Sequence, residues 1–124
     1  MKRIDYAIVF VSDMTRSIAF YRDALGLPLK FESPSWTEFA TDGTTLALHQ
    51  AEVPSLGVMK RPLPAGSCHP GFQVDDIDAF HQRLLAKGVL CLAPPKIEEF
   101  GGKLALYSDP DGLPISISEP PKRQ

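Results

Sequence analysis

Trp36 and Glu38 stand two residues apart, so a strand through them turns both side chains to one face. A ring face beside a carboxylate suits a planar or cationic heteroaromatic compound, through stacking and cation–π attraction. Tyr6 and His69 form a second pair of interest, because a phenol and an imidazole can act as acid and base without a metal. His49 and His69 also read as polar points in a cavity wall, or as hydrogen-bonded histidines near a hairpin end. His81, beside Phe80, reads as a solvated helix residue. Cys68 and Cys91 sit in no metal-ligand spacing and read as small buried hydrophobes rather than a disulfide. No Ser-His-Asp, Cys-His or phosphate-cradling glycine pattern stands out.

The elements that must carry these residues recur in order. Residues 4–11 are almost wholly apolar, β-branched or aromatic, as in a buried strand, and stop at Ser12-Asp13. Either residue can cap a helix whose face is Met14, Ile18, Tyr21 and Leu25 and which Gly26 ends. Three strands follow, over 29–33, 36–41 and 44–50, with Asp42-Gly43 as a hairpin signal. Prolines 54, 62 and 64 with Gly57 and Gly66 make 51–66 a connector. The pattern then restarts. A strand over 68–74 leads to the cap Asp75-Asp76 and to a helix with Ile77, Phe80, Leu84 and Leu85 on its apolar face and Gly88 at its end. Strands over 89–92, 103–108 and 113–119 complete it, with a loop over 94–102 and the turn Asp109-Pro110-Asp111-Gly112.

Asp13 to Asp76 is a shift of 63, Gly26 to Gly88 is 62, and Asp42-Gly43 to Asp111-Gly112 is 69, so the unit is duplicated. Alternation sends Ala7, Val9, Val11, Phe39, Leu46 and Leu48 toward the first helix, and Phe72, Val74, Ile115 and Ile117 toward the second. The opposite faces then carry Tyr6, Ile8, Phe10, Trp36, Glu38, Thr45 and His49 in the first unit, and His69, Gly71, Gln73, Ser116 and Ser118 in the second. Aromatic walls with a few polar points are how small-molecule sites are built.

Composition narrows the class. At 124 residues and 44% hydrophobic content the chain is sized for one globular domain with its own core. A net charge of -2 gives no field to hold a phosphate backbone, so no nucleic acid is expected. The start Met1-Lys2-Arg3-Ile4-Asp5 carries an acid within its first five residues and leads into no apolar targeting segment, and no stretch is long enough for a membrane span. A reduced, cytoplasmic protein is the expectation.

The run Ser12-Asp13-Met14-Thr15-Arg16-Ser17-Ile18-Ala19-Phe20-Tyr21, the pair Leu25-Gly26 and the turn Asp109-Pro110-Asp111-Gly112 together resemble the vicinal-oxygen-chelate superfamily, which holds the glyoxalases, bleomycin-resistance proteins and extradiol dioxygenases. The likeness covers essentially the whole chain. It implies an α+β fold of two tandem βαβββ modules forming a U-shaped mixed sheet around a cavity. Residues 1–124 would be a single domain, with modules at 1–50 and 67–120 and a linker at 51–66. Metal-dependent members hold a divalent ion with one residue from the first strand and one from the last strand of each unit. Those positions fall here at Tyr6, Ala47, His69 and Ser116, and only His69 is a usual ligand. His49 lies two residues beyond Ala47, about 6 to 7 Å along the strand, so a register slip of two would make it one. Phe10 stands where glutathione-dependent glyoxalases often carry an arginine, which speaks against that cosubstrate. Small members usually form dimers, so a homodimer is expected.

Two readings follow from the resemblance. In the favoured one the protein binds a small compound, aromatic or cationic, without metal or other cofactor, through Tyr6, Phe10, Trp36, Glu38, His49, His69 and Ser116. The alternative is a divalent-metal lyase or isomerase of the glyoxalase type, whose ion would polarise two adjacent substrate oxygens.

Overall fold

Both helices begin on the same device. The carboxylate of Asp13 accepts from the Arg16 backbone N–H at 3.1 Å, and that of Asp76 from Ala79 N–H at 3.1 Å, each cap residue being extended. A second acceptor reaches in from the end of each unit's last strand: Gln50 Oε1 takes Met14 N–H, and Glu119 Oε1 takes Ile77 N–H, both at 3.1 Å. Two of the orphan donors at each helix start are thereby satisfied. The duplication therefore extends to individual hydrogen bonds.

The computed structural model describes residues 1–122. Its first unit runs β1 (Tyr6–Val11), α1 (Met14–Ile18) continued by a π-helical turn over Ala19–Ala24, β2 (Leu29–Glu32), β3 (Trp36–Phe39) and β4 (Thr45–Gln50). Its second runs β5 (Gly71–Gln73), α2 (Ile77–Ala86), β6 (Cys91–Ile97), β7 (Lys103–Ser108) and β8 (Pro114–Glu119). Sheet orders are β1-β4-β3-β2 and β5-β8-β7-β6, the outer pair β1/β4 or β5/β8 being parallel and the rest antiparallel. The chain is thus α+β with two mixed four-stranded sheets in tandem βαβββ modules. The compact units meet in sequence between Leu56 and Gly57, and residues 51–70 contain no helix or strand. Among the described residues no helix is long and apolar enough to cross a membrane.

Alternation sorts the first sheet as expected. Val9, Val11, Phe39, Leu46 and Leu48 are buried against the helical face, which contributes Met14, Ile18, Tyr21 and Leu25. The π-helical turn was not expected. Leu25 N–H reaches Phe20 O and Leu27 N–H reaches Tyr21 O, both at 3.0 Å, and the widened turn brings Phe20 and Ala24 to the buried side as well. In the second unit Ile77 and Leu84 of α2 cover Ala105, Tyr107, Ile115 and Ile117, while Leu85 stays exposed.

Several boundaries differ from expectation. Ile4 and Asp5 precede β1, and β5 is shorter than 68–74 because Pro70 has no N–H to donate; its carbonyl still accepts from Ser116 N–H. The expected loop over 94–102 is strand as far as Ile97. β6 is an edge strand with register shifts on both sides of Ala93, a place where Pro94 and Pro95 break no interior ladder. Cys68 is exposed rather than buried, since it precedes β5; Cys91 is half-buried, which pushes its thiol pKa up, and neither is in a disulfide.

The Asp109 to Gly112 turn explains its own sequence. Asp109, nearly buried, accepts from the backbone N–H groups of Asp111 (2.9 Å) and Leu113 (2.8 Å). Gly112 has φ +90°, and a Cβ there would run into the Gly57 carbonyl, so both conformation and space require glycine.

Candidate ligand-binding site

The open face of the first sheet collects Tyr6, Phe10, Trp36, Glu38 and His49. The register explains how: Phe10 and Trp36 are both Cα partners of His49, and Ile8 and Glu38 are both partners of Ala47. Tyr6 and Trp36 then converge diagonally, ring centroids 6.2 Å apart at 60°. His49 lies between two rings, 5.2 Å from Phe10 and 6.0 Å edge-on from Trp36. Ala47 is on the same face yet 0% exposed: it has no donor atom, and its small methyl lets its neighbours close over it. Tyr6, Ile8 and Phe10 remain 44%, 49% and 64% exposed, an apolar surface on the first sheet.

Trp36 is held at both ends. Ser33 Oγ donates to its carbonyl at 2.7 Å and accepts from its N–H at 3.1 Å, closing the turn from β2, while the indole Nε1–H donates to Glu38 Oε2 at 2.8 Å. The other Glu38 oxygen lies 3.7 Å from Lys30 Nζ, which also donates to Thr45 Oγ1 at 3.5 Å. Alternation would turn Lys30 and Phe31 to opposite faces. A register shift between Leu29 and Phe31 re-aims Lys30 across β3 to β4, and no sequence signal marks it. A carboxylate for a cationic ligand needs an unengaged oxygen, and Glu38 has both engaged.

His49 does not slip toward a metal position. Its partners are Phe10 and Trp36, and its Nδ1 lies 2.9 Å from the Gln50 carbonyl; a carbonyl only accepts, so Nδ1 carries the proton.

On the second sheet, His69 Nε2 and Ser116 Oγ are 2.9 Å apart, half-buried. Gly71 pairs with Ser116 as Ile8 pairs with Ala47, which places Tyr6 and His69, and Ala47 and Ser116, at equivalent positions. Among the described residues the group is a base and a hydroxyl without a third orienting acid. These donors do not fit a resident divalent ion: Ala47 has none, Ser116 is a weak neutral ligand spent on His69, and Tyr6 is a phenol. Among the described residues no three His, Cys, Asp or Glu side chains gather to hold one.

His81 corrects the expectation of a solvated residue. Its Nδ1 is 2.8 Å from the Tyr107 hydroxyl, beneath α2. Burial pushes the Tyr107 pKa up to about 12. Nearby, Lys103 donates to Asp78 at 2.7 Å, which lowers the carboxyl and raises the ammonium.

Residues 3–117 match the Glyoxalase/Bleomycin resistance protein/Dioxygenase superfamily, and the chain belongs to that family. It is 31% identical to the uncharacterized protein YaeR of Escherichia coli (strain K12), over 96% of this chain and 97% of that one. It is 28% identical to the metallothiol transferase FosB of Lysinibacillus sphaericus (strain C3-41), over 90% of this chain and 78% of that one. Its fold matches a glyoxalase/dioxygenase crystal structure from Nostoc punctiforme with a TM-score of 0.83 at 21% identity, covering 98% and 92% of the two chains.

Proposed function

We propose that this protein binds a small planar aromatic compound on the open face of its first sheet, and does so without a resident metal. The observation that carries the reading is the Tyr6–Trp36 ring pair, 6.2 Å apart, with Trp36 fixed by Ser33 and Glu38 while its neighbours Tyr6 and Phe10 stay exposed. An aromatic surface already locked in place costs a ligand little ordering entropy. His49, with its proton held on Nδ1, presents Nε2 as an acceptor to a ligand hydroxyl or amine.

Trp36 is the only tryptophan, so its fluorescence reports on the site. In a screen of planar aromatic compounds, binders should quench it, and Trp36→Ala should weaken their affinity by about 1 to 2 kcal/mol. Binders that leave both emission and mutant affinity unchanged would make Trp36 a packing residue and remove the support for this reading.

The metal alternative draws on the likeness to FosB, named a metallothiol transferase, and on His69. A tightly held ion would stabilise the native state by mass action. Zinc or nickel at micromolar excess should move the melting temperature by little, and the protein should purify with well under one divalent ion per chain. A stoichiometric ion lost in a His69→Ala variant would reverse the ranking. We further propose a homodimer, supported by the exposed Ile8, Phe10 and Phe31, and light scattering at micromolar concentration checks it.

A further inference from the structure

We infer that the aromatic site of the first sheet selects an anionic ligand, a planar ring bearing a carboxylate, and that Lys30 sets that preference. The inference rests on the aromatic reading above and adds the sign of charge. Glu38 is the one acidic residue that the four strands place on this face, since Glu32 pairs with Thr37, whose side chain is buried on the opposite side. Both Glu38 oxygens are engaged, one by the Trp36 indole at 2.8 Å and the other facing Lys30 at 3.7 Å. The side chain of Glu38 is 17% exposed and that of Lys30 is 51% exposed. An approaching ligand therefore meets the ammonium first and the carboxylate behind it.

Position agrees with charge. Lys30 Nζ reaches Thr45 Oγ1 at 3.5 Å, and Thr45 is the Cα partner of Tyr6, so the ammonium stands beside the Tyr6–Trp36 ring pair. An ammonium has three donors; one goes to Thr45 and the Glu38 carboxylate lies 3.7 Å away, beyond hydrogen-bond distance, so donor capacity remains for a ligand. A ring stacked on Trp36 can bring an attached carboxylate to the ammonium, forming a charge-assisted hydrogen bond. A ligand cation meets like charge there instead. Glu38 acts as a positioning residue for Trp36 and Lys30.

Calorimetric titration of the full chain with 2-naphthoate, 2-naphthalenemethanol and 2-naphthylmethylammonium separates ring from charge. The expected order is naphthoate, then the alcohol, then the ammonium, with naphthoate about fivefold tighter than the alcohol, the scale of one partly exposed ion pair. Lys30→Met should bring naphthoate down to the alcohol's affinity or below it, because Glu38 loses its countercharge, while weakening the alcohol far less. Glu38→Gln, which removes the countercharge and keeps the polar head, should widen the naphthoate preference, and added salt should narrow it. The inference is overturned if the alcohol binds and naphthoate binds no tighter, or if Lys30→Met weakens both alike. Binding of none of the three overturns the aromatic reading itself and the charge preference with it.

Discussion

Ile8 and Gly71 occupy the same place in their sheets, one paired with Ala47 and the other with Ser116, yet they open onto different chemistry. Around Ile8 the first sheet presents Tyr6, Phe10, Trp36 and His49, a surface of rings. Around Gly71 the second presents His69, Gln73, Ser116 and Ser118, polar and without a hydrocarbon ring. The hidden faces diverge far less. Phe39 and Tyr107 are equivalent, each pairing with the matching residue of the last strand, Leu46 or Ile115, and both are fully buried. Opposite them stand Tyr21 and Leu84, also fully buried and 63 residues apart. Bulk is thus traded between helix and strand while the core stays filled. Close packing constrains the helix-facing side of each sheet, and no such constraint acts on the open side, so function is free to differ there.

The largest test of that equivalence is core truncation. Phe39→Ala and Tyr107→Ala should each lower unfolding free energy by about 3 to 5 kcal/mol in denaturant titrations. A cost below about 1 kcal/mol for one of them would show that its module does not rely on a matching core. The paired caps come next. Gln50→Ala and Glu119→Ala each remove the acceptor for the first N–H of a helix, at about 1 to 2 kcal/mol apiece. Glu119 should cost at least as much, because it is buried and leaves Ile77 N–H without its acceptor in a dry site.

The smallest effect sharpens the comparison through pH. The folded Tyr107 pKa of about 12 exceeds the ordinary value of 10.0, so between them the unfolded chain has lost a proton that the folded chain keeps. Stability is therefore intact below pH 10 and falls as pH rises, by about 1 kcal/mol between pH 9 and pH 11. Tyr107→Phe should flatten that slope, read as melting temperature against pH, while lowering stability at neutral pH through the lost bond to His81. An unchanged slope would mean that some other group carries the alkaline loss.

Much of the fold was legible because its signals are local. Asp13 and Asp76 act on N–H groups three residues away, Gly112 answers to its own φ, and alternation along Tyr6–Val11 needs no knowledge of what β1 pairs with. The aromatic part of the candidate site followed from the same alternation. Trp36 and Glu38 do share a face, but the carboxylate read as free for a cation is engaged by the indole and by Lys30.

Residue order alone thus determined the duplicated units, their helix starts and the division of each strand into a buried and an open side, since these depend on contacts within a few residues. Only the tertiary structure decided the rest. The register shift in β2 carries Lys30 to the ring face, the edge position of β6 admits Pro94 and Pro95, and β7 brings Tyr107 to His81. Each outcome depends on a partner outside the residue's own element, and pairing between separate segments leaves no periodic mark in either of them.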